Sequence, residues 1–104
     1  MTKQVQLPTD LLHRRMTLVN EVAGLNAKAL KMTQMLAGTE MEVLRIELEI
    51  SREGVTGQLV RNLHEVEDSA TSIRLRQKIC EDQIAEAEEA IAEIDRLLEE
   101  RAGS

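Results

Sequence analysis

The chain has 104 residues, a formal net charge of −6, one Pro, one Cys and no Phe, Tyr or Trp. That length allows one domain. Without aromatics the chain has no base-stacking platforms, cation cages or aromatic interface anchors, and its acidic balance argues against direct nucleic-acid binding, which needs a basic face to neutralise phosphates.

No run approaches the roughly 18 apolar residues of a membrane span. No apolar stretch follows Lys3 as a secretory signal would require, and a lone cysteine makes no internal disulfide framework. A cytoplasmic location is expected from these three readings. Apolar residues make up 42% of the chain and are all aliphatic or Met, apart from Ala and Cys. A core of this kind suits narrow seams between helices, where Leu and Ile knobs fill small holes. Charged residues at 31%, rich in Glu and Arg, fit long helices or a coiled coil.

In chain order, residues 1–8 read as a flexible polar lead-in ending at Pro8. Thr9 or Asp10 then caps a helix over 9–52, with Pro8 just outside it. The weak point of this helix is Gly38-Thr39, where Thr39 and Glu42 have the spacing of a capping box; we favour an unbroken helix there. Residues 53–57, Glu-Gly-Val-Thr-Gly, are the turn, because two glycines and two β-branched residues would cost a continuous helix roughly 2–3 kcal/mol. Thr56 is a candidate cap for a second helix over 58–101, and 102–104 form a tail. At 1.5 Å per residue each helix would be roughly 66 Å long.

The second helix carries one sustained seam at alternating steps of four and three: Leu59, Leu63, Val66, Ala70, Ile73, Gln77, Cys80, Ile84, Ala87, Ile91, Ile94 and Leu98. Its apolar members Leu59, Leu63, Val66, Ile73, Ile84, Ile91, Ile94 and Leu98 are the expected intrachain seam. The first helix carries two registers. One runs Leu18, Val22, Leu25, Ala29, Met32, Leu36, Thr39, Val43, Ile46, Ile50. The other contains Leu12, Met16, Val19, Leu30, Met41, Leu44 and Leu48, with Ala23, Asn26, Gln34 and Ala37 between them. An offset of one residue sets the two stripes about 100° apart, more circumference than one neighbour buries. The second register is therefore the expected partner or oligomer interface.

Charge decides the direction of pairing. Residues 9–52 hold six acids and six bases, whereas 81–100 hold nine acids and one base, Arg96. A chain folded back near residue 55 sets residue i opposite about 110 − i and lays Arg14, Arg15, Lys28 and Lys31 along the acidic stretch. Parallel pairing of the second helix with itself would set acids beside acids. The expected fold is all-α, an antiparallel two-helix coiled-coil hairpin, and since a single helical layer buries little surface it should dimerise into a four-helix bundle with the first helices central.

Nothing along the chain assembles catalytic chemistry. His13 and His64 have no second ligand at metal-site spacing. The carboxylate groups Glu65, Glu67, Asp68 and Glu86, Glu88, Glu89 read as solvated helix surface. Gly54-Val55-Thr56-Gly57 lacks the Lys of a phosphate loop. Cys80 reads as a small buried hydrophobe, with a cross-chain disulfide as the alternative. Gln77, Asn26 and Gln34 are polar residues placed to set register. No metal, cofactor or enzymatic activity is expected.

The expected function is a non-enzymatic protein–protein interaction module, a scaffold or adaptor presenting an apolar helical groove, with a homodimer or a partner helix as occupant. Alternatives are a small acidic chaperone for a secreted or filament-forming helical protein, an acidic nucleic-acid mimic acting as inhibitor, and a polymerising rod subunit. Met16, Met32, Met35 and Met41 lie on or beside the apolar stripes and suit an adaptable surface.

Overall fold

The computed structural model describes residues 7–103. These form an all-α helical hairpin of two elements, α1 (Pro8–Glu53) and α2 (Gly57–Gly103). Residues 1–6 of the expected lead-in, and Ser104 of the tail, lie outside the described residues.

The helix ends follow from local chemistry. The Leu7 carbonyl accepts the Leu11 N–H at 3.1 Å, which makes Pro8 the first residue of the helix rather than the residue before it. Proline suits that position because the N–H it lacks would have no intrahelical partner there. At the other end Gly54 has φ +90°, and its N–H donates to the Ile50 carbonyl at 2.8 Å. This is a left-handed C-terminal cap, a conformation in which a side chain would be strained. Thr56 then starts α2: its hydroxyl accepts the Leu59 N–H at 3.1 Å, and its carbonyl accepts the Val60 N–H at 3.1 Å. The turn is thus three residues, with Glu53 and Gly57 drawn into the helices they adjoin.

Through Gly38-Thr39 α1 runs unbroken. The Thr39 hydroxyl donates to the Met35 carbonyl at 2.9 Å, one turn back, so it serves the helix interior and caps nothing. Thr17, Thr33 and Thr71 make the same bond to His13, Ala29 and Glu67.

The helices pack as two compact units, each with a strand of helix from both elements. In the unit nearer the chain ends, Leu11 from α1 and Ala87 and Ile94 from α2 are buried. Leu18, Val22 and Leu25 are half-buried there, as are Ile84, Ile91 and Leu98. In the unit holding the turn, Lys28–Cys80, the buried set is Met32 and Ile46 from α1 with Ala70, Ile73 and Cys80 from α2. Around it Leu36, Val43 and Ile50 are half-buried with Leu59, Leu63 and Val66. No charged or polar residue is buried among the described residues.

Two cross-helix contacts give the register, one in each unit. Arg15 Nε donates to Asp95 Oδ1 at 2.7 Å, and Gln77 Nε2 donates to Thr33 Oγ1 at 3.1 Å. Both pairs satisfy i opposite 110 − i. Gln77 occupies the one polar place in the α2 seam and is half-buried, so its partner is a threonine of its own chain.

Candidate interaction surface

Every residue of the α2 seam is buried or half-buried, and so is every residue of the first α1 register. The seam extends further than the pattern from Leu18 suggested. Two more steps of three and four lead back to Arg15 and Leu11, and Leu11 is 1% exposed. The charge on Arg15 hid the continuation, although a long arginine stem can cover apolar surface while its head reaches solvent. Here that head reaches Asp95, with a second bond from Nη2 to Oδ2 at 3.3 Å.

The second α1 register is the opposite case. Leu12, Met16, Val19, Leu30, Met41, Leu44 and Leu48 are between 41% and 71% exposed, and Ala23, Asn26, Gln34 and Ala37 are exposed with them. Leu12, Met16 and Val19 belong to the unit nearer the chain ends; Leu30, Met41, Leu44 and Leu48 belong to the unit with the turn. Isolated exposed Leu or Met residues are ordinary on a protein surface, whereas these stand in a row at helical spacing. A further apolar pair is exposed outside that row: Leu75 and Ile79, four residues apart on α2, are 62% and 50% exposed. They stand two places on either side of Gln77, which turns them away from the seam.

Each unit also carries an open groove. In the unit nearer the chain ends it is lined by Arg15, Val19, Val22, Glu88, Ile91 and Asp95. Because Val19 lines it, this groove borders the exposed row. In the other unit Gly38 and Ser69, both lacking bulk, leave a groove beside Met35, Val66 and Ile73.

The electrostatics are those of exposed helix faces. Arg45 reaches Glu42 and Glu49 on α1, Arg96 reaches Glu93 and Glu100 on α2, and Arg74 approaches Glu40 across the helices at 3.5 Å. Hydrogen bonding to Arg15 holds the Asp95 carboxyl below its ordinary value, and Arg45 and Arg96 do the same for Glu42 and Glu93. All these side chains are a third or more exposed, so each pair contributes little to stability.

Among the described residues no group of three or more His, Cys, Asp or Glu side chains could hold a metal ion. His13 and His64 are exposed and lie in different units. Glu65, Glu67, Asp68, Glu86, Glu88 and Glu89 are exposed. Cys80 is 1% exposed within the seam, so a disulfide to a second chain would require the seam to open at that level. No helix among the described residues is long and apolar enough to cross a membrane. No protein-family model, no curated protein and no solved structure matches the chain.

Proposed function

We propose that this protein is a non-enzymatic helical interaction module whose α1 face docks a helix of another polypeptide. The observation that carries this reading is the contrast between adjacent stripes on one helix. Ile46 and Met32 are covered, whereas Leu44, Leu48 and Leu30 are about 60% exposed. Full burial of an aliphatic side chain contributes about 1.5–3 kcal/mol, so covering the remaining half of each contributes about 1 kcal/mol. Seven such residues, met by a similar set from a partner helix, reach roughly 14 kcal/mol against an association cost of roughly 4–15 kcal/mol. A partner helix that covers the whole row gains more than one that covers part of it.

The test is affinity capture from native lysate with the unaltered chain and with the Leu30→Glu, Leu44→Glu double variant. Both positions are exposed, so helicity by circular dichroism stays unchanged. Helical polypeptides, further copies of this chain included, are retained by the unaltered chain and lost by the variant. Equal capture by both would mean that the face is ordinary surface.

A second reading, a small acidic chaperone for a helical client, draws support from Met16 and Met41, exposed at 66% and 71%. Flexible thioether side chains repack against irregular partners. A chaperone melts low when alone and gains stability on binding its client, whereas a permanent scaffold gains little.

A further inference from the structure

Resting on the reading of α1 as a docking face, we propose that its occupant is a second copy of this chain, with α1 lying antiparallel on α1 about a two-fold axis at Leu30. The exposed row is self-complementary about that residue. Reversing it about position 30 sets Leu12 against Leu48, Met16 against Leu44, Val19 against Met41, Ala23 against Ala37, Asn26 against Gln34, and Leu30 against itself. Large side chains meet large ones, small meet small, and the one amide on each side meets the other.

The spacing has the same centre. Steps of four and three alternate along the row, and the alternation breaks once, where a step of four lies on each side of Leu30. Ten steps thus carry the row 36 residues, from Leu12 to Leu48, at 3.6 residues per step. At that period the row stays on one side of an α-helix without the drift that forces a supercoil.

Charge points the same way. Residues 8–28 hold Arg14, Arg15 and Lys28 against Asp10 and Glu21, net +1. Their mirror image, 32–52, holds Arg45 and Arg52 against Glu40, Glu42, Glu47 and Glu49, net −2. An antiparallel pair lays the basic half of each helix on the acidic half of the other, whereas a parallel pair lays like on like. Small residues flank the axis as well, since Ala23 faces Ala37. The Asn26–Gln34 layers supply the polar contacts that penalise a shifted register.

The experiment uses the full chain. Sedimentation equilibrium at about 100 μM should give twice the 11.7 kDa chain mass. Leu30→Glu, which sets two carboxylates together at the axis, should weaken the dimer by a factor of about 100 or more. In a Cys80→Ala background, Leu30→Cys should cross-link to itself under mild oxidation. Leu12→Cys and Leu48→Cys should cross-link when mixed, and neither alone. Self-linkage of Leu12→Cys, or a mass of one chain at 100 μM, overturns the proposal. Should Cys80→Ala impair folding, sedimentation of Leu30→Glu with Cys80 in place still decides: an undiminished dimer overturns it. A parallel dimer, or a monomer that loses a foreign helical partner in the Leu30→Glu, Leu44→Glu variant, removes the second copy as antiparallel occupant but leaves the docking face. A dimer indifferent to that double variant removes both.

Discussion

Ile46 and Leu44 stand two residues apart on α1, and replacing each by alanine should separate seam from surface. Ile46 is 1% exposed and Leu44 is 59% exposed. Truncating a buried Ile removes its transfer free energy and leaves a cavity, for a total of about 2–5 kcal/mol. A seam between two helices can partly close over the gap, which places Ile46→Ala near the lower half of that range, about 3 kcal/mol. Within a single chain Leu44→Ala forfeits less than half of a leucine's burial, about 1 kcal/mol or less. With a urea slope of roughly 1–3 kcal/mol/M, the midpoint should fall by about 1–3 M for Ile46→Ala and by well under 1 M for Leu44→Ala. Urea titrations followed by circular dichroism at 1 μM and 100 μM are the assay. The Ile46 effect should be the same at both concentrations. The proposed dimer would cover Leu44 once in each copy, so the Leu44 effect should grow at the higher one. Equal costs for the two variants at 1 μM would refute the assignment of these residues to different faces.

The carboxyls of Asp95, Glu42 and Glu93 are held below their ordinary values by Arg15, Arg45 and Arg96. A group whose pKa is lower in the folded state stabilises the fold above its unfolded value, about 4, and that stabilisation is lost as pH falls through the folded value. The melting temperature of the unaltered chain should therefore exceed that of Asp95→Asn at pH 7, and the difference should shrink as acid protonates Asp95. High salt should shrink it too, since the pair is exposed. A gap that widens with acid would contradict the pairing. At the turn, Gly54→Ala should cost about 1 kcal/mol or more, because φ is +90° there, and Thr56→Ala should cost about 0.5–2 kcal/mol through loss of the Leu59 cap. Thermal melts at one protein concentration measure both, and a neutral Gly54→Ala would argue against the left-handed cap.

Much of this molecule was legible in the residues alone. The twelve-position row of α2 announced its own burial, because few sequences keep alternating steps of four and three that long without packing them. The direction of pairing and the sum of about 110 followed from the turn and from the charges, and Arg15 with Asp95 and Gln77 with Thr33 stand at that register. Capping was legible at Thr56, where hydroxyl, spacing and glycines agree. It was misleading at Thr39, where the same residue type donates one turn back instead, since a threonine hydroxyl can satisfy a helix interior as well as a helix end.

The tertiary structure covers the first α1 stripe, leaves exposed the second, the one expected as the interface, and decides how far the seam reaches. On composition alone the two registers of α1 are near equals. The first alternates four and three unbroken, as α2 does, so its side chains remain opposite the α2 seam turn after turn, whereas the second repeats a step of four at Leu30 and falls out of phase with that seam. Periodicity could name both candidates, but covering is a relation between two surfaces. Leu11 disappears into the seam and Leu12, its neighbour, does not, because about 100° of rotation separates them and α2 lies on one side only.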